Sequence, residues 1–318
     1  TPVGKLNSAI ETLRDRGAPA LCKAVLGLAR TTAHRVTGRQ FALCRVYDYR
    51  LWVDLNDRGI SRTLMLFGER ELEHKAMLER IVEPGMRIFD IGANIGYYAI
   101  MESQLVGPSG QVVAIEPSPG NVALLQRNLE QNAISNVVVR EGAISDEEGK
   151  REFHLSTQSN LNTFHDIGSG AVHLAGESIP VEVNTVPALA EEFGPPDVMR
   201  MDVEGHEVEV IRGLLDAVEA GTMRPRIIFE THLSRYTAEH SFEPVLRRLF
   251  AAGYEVSLAA SSWERGTEVV ETFGYKGVEK IRSDGVIRTL FESISADDAV
   301  KLICETGGLR TVILSPSA

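Results

Sequence analysis

The sequence predicts an α/β protein built on a doubly wound, mainly parallel sheet. Three observations carry this expectation. Short apolar runs recur through the middle of the chain: Arg87-Ile88-Phe89-Asp90-Ile91, Gln111-Val112-Val113-Ala114-Ile115, Asn136-Val137-Val138-Val139, Asp197-Val198-Met199-Arg200-Met201 and Arg226-Ile227-Ile228-Phe229. Helical patterns lie between them, including 122–131 and 207–218. No two-residue turn joins neighbouring runs, so the connections must cross over, which makes the strands parallel.

Each element follows from its own residues. Residues 6–29 place Leu21, Ala24, Val25, Leu28 and Ala29 at helical spacing, predicting one or two amphipathic helices. Phe41 to Asp54, rich in aromatic and β-branched residues and broken at Asp48, predicts a short hairpin. A helix is expected from Glu69 to Val82, with Met77, Leu78, Ile81 and Val82 on one face and Pro84-Gly85 as its stop. After the five runs, Phe242, Val245, Leu246, Leu249 and Phe250 repeat at helical spacing up to Gly253. A last helix, capped by Ser295 with Asp298 three residues on, precedes a final strand, Thr311 to Leu314.

Two segments interrupt the alternation. Residues 151–186 read as two strands, Arg151 to Leu155 and Ile179 to Val186, around a loop of about twenty residues, a length that is usually functional or disordered. Residues 259–292 form the other, with Gly266, Gly274, Gly277 and Gly285 marking turns. Both are expected as elaborations on the binding edge of the sheet. The organisation expected is an N-terminal helical and hairpin extension over residues 1–60 and one domain over 61–318.

Composition narrows the partners. The 318 residues are long enough for a large core, and 33 Lys and Arg against 44 Asp and Glu give a net charge of −11. Nucleic acid is therefore not expected as the main partner, because phosphate binding needs a basic footprint. No apolar run approaches the roughly 20 residues that span a bilayer; the best, Ala18 to Ala29, is interrupted by Lys23 and lacks the order of a signal peptide. Cys22, Cys44 and Cys304 are odd in number and widely spaced, indicating neither a disulfide framework nor a zinc cluster. A cytoplasmic protein is the expectation.

The sharpest local signal is Asp90-Ile91-Gly92-Ala93-Asn94-Ile95-Gly96, an apolar strand running into a glycine loop and then a helical stretch. Gly92 and Gly96 let the backbone turn tightly and approach a ligand at the carboxyl end of the first strand, where doubly wound sheets bind nucleotides. A dinucleotide fingerprint requires Gly-x-Gly-x-x-Gly; counted from Gly92, its second and third glycines are Asn94 and Tyr97. That leaves a nicotinamide oxidoreductase as a weak alternative. Asp90 at the strand end would repel phosphate and is expected to pair with a ligand cation such as an α-ammonium. Glu116, ending the second strand before Pro117, is placed to accept both hydroxyls of an adenosine ribose. Alone it would read as a solvated strand-end charge; one crossover after the glycine loop it reads as a ligand. A nucleoside bearing an amino acid and no phosphate fits both acids, and S-adenosylmethionine is that molecule. The turn Glu141-Gly142-Ala143 after the third strand is expected to approach the adenine.

At these residues the chain resembles the FkbM family of S-adenosylmethionine-dependent methyltransferases, over roughly residues 60–258. The family's Asp-x-Gly-Ala-Asn-x-Gly is matched by Asp90 to Gly96, and its Glu-Pro by Glu116-Pro117, with a late Asn in the next helix like Asn128. Its Lys-Ile-Asp-x-Glu-Gly-x-Glu is matched by Arg200-Met201-Asp202-Val203-Glu204-Gly205-His206-Glu207, and its Phe-Glu by Phe229-Glu230 before Thr231-His232. The resemblance implies a seven-stranded sheet of the class I methyltransferase type and methyl transfer to a hydroxyl oxygen. The implied acceptor is a sugar, a glycoconjugate or another natural product, a small molecule or carbohydrate in any case. Two departures stand out: Thr185-Val186-Pro187 where the family shows Thr-Leu-Asp, and Arg200 where it shows Lys. A non-catalytic partner keeping the fold is the remaining alternative, opposed by the intact glycine loop. The oligomeric state is not legible.

Methyl transfer needs alignment of donor and acceptor and removal of a hydroxyl proton. Asp202 and Glu204 at the fourth strand end, and Glu230 and His232 at the fifth, are the candidates to face the donor methyl, each pair sharing a side by strand alternation. His232 is expected as the general base by its intrinsic pKa, with Asp202 and Glu204 beside it, and residues 156–177 closing over the acceptor. Glu207 reads more simply as an acid at a helix N-terminus, Glu230 equally well as a partner of Arg200 or Arg226, and His206, His154, His165 and His173 as solvated. Asp202, Glu230 and His232 would also suit magnesium or manganese, but the spacing is no recognised ligand motif, and no metal is expected.

Overall fold

The computed structural model describes residues 2–156, 158–164 and 174–317. The N-terminal helix α1 (Pro2–Val36) breaks at Gly17, whose φ of 83° is left-handed, and resumes before Pro19, so it is two helices end to end. The hairpin β1 (Phe41–Val46) and β2 (Tyr49–Asp54) turns at Tyr47-Asp48. The helix expected from Glu69 to Val82 is α3 (Leu72–Ile81), and a further helix that was not expected, α2 (Ile60–Phe67), precedes it, the two separated by left-handed Gly68 and Glu71.

The body then alternates as expected. In order come β3 (Arg87–Ile91), α4 (Tyr97–Val106), β4 (Gln111–Glu116), α5 (Pro119–Gln131), β5 (Val137–Glu141), β6 (Ala143–Ile144), β7 (Gly149–Ser156), β8 (Leu174–Asn184), α6 (Val186–Phe193), β9 (Val198–Met201), α7 (Glu207–Glu219) and β10 (Arg226–Glu230). The chain finishes with α8 (Glu243–Ala251), β11 (Tyr254–Ser261), α9 (Glu264–Thr272), β12 (Glu279–Ser283), β13 (Val286–Ile294), α10 (Ala296–Cys304) and β14 (Leu309–Pro316). Thr185 caps α6 through Ala188 N (3.3 Å), and Ser295 caps α10 through Asp298 N (3.3 Å).

The main sheet runs β12-β13-β11-β14-β10-β9-β3-β4-β5. Its five consecutive strands from β10 to β5 are mutually parallel, and the other four continue it antiparallel. The sheet has nine strands where seven were expected. Residues 259–292 fold as α9 and the β12–β13 hairpin, which lengthens the sheet sideways at the edge far from β5, not as a decoration on its carboxyl ends. The strands β6, β8 and β7 form a separate small sheet in that order. His165 and His173 lie outside the described residues.

Alternation along each buried strand feeds two cores. Phe89, Ile91, Val113, Ile115, Ile227 and Phe229 pack under α6, α7, α8 and α10; Ile88, Val112, Ala114 and Ile228 pack under α3, α4, α5 and the β1–β2 hairpin. Helices therefore cover both faces, and winding reverses between β3 and β9. At that switch point the loop after β3 meets the turn after β9.

Candidate active site

The switch point fixes the geometry of a cleft. After β3 the chain bends over the end of β4, with Gly92 N and Ala93 N donating to Ile115 O at 2.9 and 3.0 Å. Gly92 lies at φ 84°, and a Cβ there would stand 2.4 Å from Asp202 O, so only glycine lets the two strand ends approach so closely. Asn94 holds a left-handed φ of 51°, which asparagine tolerates. The cleft, enclosing about 510 Å³ with its open mouth, is lined by Gly92, Asn94, Glu116, Gly142, Ala143, Asp202 and Glu204, among others. Its outer wall comes from the small sheet and the segment beyond it: Phe153, Ser159, Asn162 and Phe164, with His206 opposite.

Glu116 is buried. Its Oε1 accepts from Ser118 N and Asn121 Nδ2, both at 3.0 Å, and its Oε2 from Asn94 N at 2.9 Å. A carboxylate has about four lone-pair sites, so Oε2 keeps one for a ligand hydroxyl while Oε1 is filled. Acceptance of two hydroxyls would require Oε1 to release a present donor. With no cation beside it, burial pushes this carboxyl up to about 7 against the pull of Ser118, Asn121 and Asn94.

Asp90 is not in the cleft. It has no solvent exposure, and its cation is Arg200, whose Nη1 is 3.1 Å from Asp90 Oδ1 and 3.2 Å from Gly92 O. Arg200 Nη2 reaches Asp202 Oδ2 at 3.3 Å, and the guanidinium stacks 4.1 Å from the Tyr98 ring centroid. One planar fork joins three acceptors and a ring, which a lysine ammonium cannot do. The expected pairing of Asp90 with a ligand ammonium is thus replaced by an internal ion pair; the acids that reach the cleft at that end are Asp202 and Glu204. Gly96 also stays out of the cleft, packed on Leu125, whose Cδ1 lies 2.5 Å from where a Cβ would be. Ala143 lines the cleft but also belongs to the small-sheet core with Phe153, Val181 and Val183.

On the acceptor side, β9 has ended at Met201, and Asp202 and Glu204 meet through a turn in which Glu204 takes a φ of 53°. Strand alternation is not what unites them. His232 stands past β10, with Nδ1 3.0 Å from Glu207 Oε1 and Nε2 3.8 Å from Glu204 Oε2. Glu207, fully buried, also receives Val203 N and Gly205 N at 3.4 Å each, so it both closes the turn into α7 and orients the imidazole. Burial opposes charge on His232, yet Glu207, Glu230 and Glu204 outweigh it and push the ring up to about 10. An imidazole already holding its proton at neutral pH is no general base, which corrects that expectation. Burial pushes Glu204 up to about 7, a value suited to accepting a proton there.

Glu230 turns away to Arg310 on β14, at 2.7 Å, a cation that neither Arg200 nor Arg226 supplies. It therefore leaves the set of residue types that would have suited a metal, while Asp202, Glu204 and His232 bring one ligand atom each within 4.8 Å of one another. His206 is buried, not solvated: Nε2 lies 3.0 Å from Ser145 Oγ, Nδ1 3.2 Å from Glu209, and its ring centroid 4.8 Å from that of Phe164. His154 sits on β7, its backbone bridged to Thr163, outside the cleft lining. Phe153, Asn162 and Phe164 had no signal of their own in the sequence beyond the long loop's length.

The donor set decides what the cleft suits. Three carboxylates line it, and among the described lining residues there is neither Lys nor Arg. A pyrophosphate would find no lining cation to pair with, whereas a cationic ligand with hydroxyls would find carboxylate acceptors.

Residues 90–256 match the methyltransferase FkbM domain model. Among characterised proteins the chain is similar to hexuronic acid methyltransferase AglP of Haloferax volcanii, 28% identical over 176 residues, covering 54% of this chain and 66% of that protein. It is also similar to a protein-L-isoaspartate O-methyltransferase of Methanothrix thermoacetophila, 42% identical over 53 residues, covering 17% of this chain and 25% of that one. The matched part thus spans just under two thirds of the first relative and a quarter of the second. A solved FkbM methyltransferase from Methylobacillus flagellatus aligns at 14% identity and a TM-score of 0.34, over 73% of this chain and 52% of that one. No helix among the described residues is long and apolar enough to cross a membrane.

Proposed function

The chain belongs to the FkbM methyltransferase family, and from that premise we propose that it transfers a methyl group from S-adenosylmethionine to a hydroxyl oxygen of a carbohydrate acceptor. The observation that carries the donor is the cleft at the switch point, lined by Glu116, Asp202 and Glu204 without a Lys or Arg. S-adenosylmethionine supplies an electrophilic methyl carbon on a sulfonium, and its positive charge suits walls that would repel a phosphate. Glu116 Oε2 takes one ribose hydroxyl, and Gly142 and Ala143 flank the base.

The acceptor stands at the other end, over Asp202 and Glu204. Its O–H gives a proton to Glu204, its oxygen forms the new bond to carbon, and the C–S bond breaks with its electron pair going to sulfur. His232, protonated and held by Glu207, supplies fixed positive charge behind Glu204 and keeps that carboxylate in place. The carbohydrate acceptor is supported by the likeness to a hexuronic acid methyltransferase.

The experiment is turnover with a panel of uronic acids, neutral hexosides and an isoaspartyl peptide, followed by product mass and alkaline treatment. A hydroxyl acceptor gives a product heavier by one methylene that survives base as an ether. Loss of the added methyl in base identifies a carboxylate acceptor and overturns the hydroxyl reading. Absence of S-adenosylmethionine binding in calorimetry overturns the donor.

A further inference from the structure

Acids gather at many strand ends without holding anything, so proximity alone does not make a cation site. Two features set this cluster apart. The first is the orientation of its imidazole. His232 Nδ1 faces Glu207, a carboxylate with no solvent exposure that is itself tied to Val203 N and Gly205 N. Histidines that ligate metals are turned in this way, with the far ring nitrogen held by a carboxylate so that the near one points at the ion. Here the near nitrogen, Nε2, points toward Glu204 at 3.8 Å, too long for a hydrogen bond.

The second is the lack of other partners. The Glu204 side chain, 14% exposed, makes no hydrogen bond to a described residue, nor does His232 Nε2. A carboxylate so enclosed is ordinarily hydrogen-bonded. Asp202 commits only Oδ2, to Arg200, and its Oδ1 makes no hydrogen bond to a described residue. Two carboxylate oxygens and one imidazole nitrogen, drawn from the segments that follow two neighbouring parallel strands, thus converge within 4.8 Å of one another.

We propose that Asp202, Glu204 and His232 bind one divalent cation of the magnesium or manganese class at the acceptor end of the cleft. Two hard oxygens with one imidazole match that class, and three protein ligands leave positions for water or an acceptor oxygen. The cluster must contract by a few tenths of an ångström or more, since ligands about 2.1 Å from magnesium lie at most about 4.2 Å apart. With a cation seated, the ion displaces the proton from His232 Nε2, Glu204 is a ligand, and the acceptor proton leaves to solvent. The inference rests on this geometry and not on the methyl-transfer reading, so its probe is the metal alone.

The test titrates the metal-stripped full chain with Mn2+, following free ion by electron paramagnetic resonance. One equivalent should bind, with pulsed spectra showing one coordinated imidazole nitrogen. Glu204→Gln should weaken binding at least about tenfold, and Glu207→Gln by about 10–100-fold through loss of the orienting carboxylate; Glu230→Gln, aimed at Arg310, should weaken it far less. No binding up to about millimolar Mn2+, or binding without an imidazole nitrogen, overturns the site, and so does equal binding by a folded Glu204→Gln. The pulsed measurement on wild type decides the matter even if a variant fails to fold. Neither readout uses the donor, so failure here leaves methyl transfer standing, and the converse holds.

Discussion

Glu116 is a buried acid held only by neutral donors, and that fixes how the donor site must respond to pH. A ribose hydroxyl donates to the ionised carboxylate, whose carboxyl burial has pushed up to about 7. Between about pH 8 and about pH 6 the ionised fraction falls roughly tenfold, so S-adenosylmethionine affinity should fall by up to about tenfold over that range. Calorimetry across pH should show this slope in the wild type and a flat profile in Glu116→Gln; a sloped profile in the variant assigns the titration elsewhere. The same carboxyl holds its proton more tightly folded than unfolded, so its contribution to stability declines as pH rises from about 4.5 toward about 7. Arg200 yields a second prediction. It alone among the described residues is hydrogen-bonded to the Asp90 side chain, and the nearby buried acid Glu102 is driven toward its neutral form by burial and by Asp90. Arg200→Met should cost about 3–5 kcal/mol by leaving Asp90 uncompensated, and Arg200→Lys should fall between; chemical denaturation of a variant as stable as wild type would contradict this. These residues show where a sequence stops being legible. Asp90 is recognisable as a strand-end acid, but whether it faces ligand or protein depends on Arg200, 110 positions away and on the neighbouring strand. His232 was found by position and misjudged by pKa, because the acids that recharge it, Glu207 above all, come from another element.

Elements were legible where their signals are local. The β1–β2 hairpin announces itself by composition and a break at Asp48, and the cap of α10 by a Ser before a helical run, whereas α6 begins at Val186, the last residue of an expected strand. What docks the hairpin is not local. Asn128 on α5, fully buried, accepts from Trp52 N at 2.6 Å and donates to Trp52 O at 3.1 Å and to Ile95 O at 2.8 Å. One side chain thus ties the hairpin to the loop that shapes the donor cleft, which gives the late Asn of the resemblance a physical task. Asn128→Ala should strip those backbone groups of partners and cost about 1–3 kcal/mol, with faster amide exchange at Trp52 and a weaker donor complex. Unchanged exchange at Trp52 would mean that the apolar contacts beneath the hairpin hold it unaided. The β12–β13 pair escaped sequence reasoning for the opposite reason: its glycines mark turns but carry no information about which edge the hairpin joins, and joining is decided by the exposed edge of β11.

At the scale of the molecule, the switch point follows from the order of strands and is legible once the alternation is seen, while the covering of the cleft is not. Ser159 is held from two directions: its carbonyl accepts from Asn94 Nδ2 at 3.1 Å, and its N–H donates to Asp57 Oδ1 at 2.9 Å. Asp57 also receives Gly59 N and Ser61 N, each at 2.9 Å, and so anchors the start of α2. Residues expected to be a separate extension, a glycine loop and the segment beyond β7 are therefore joined through one carboxylate that no motif marks. The consequence is a coupling between the N-terminal part and the donor site. Asp57→Ala removes a charge-assisted bond of about 1.5–3 kcal/mol from the cover, and part of that loss should appear in binding, because Ser159 and Asn94 line the same cleft. S-adenosylmethionine affinity should drop several-fold, and amide exchange should quicken at residues 158–164 as well as at the start of α2. Faster exchange confined to α2, with donor affinity intact, would show that Asn94 holds the cover by itself and that the N-terminal part does not reach the chemistry.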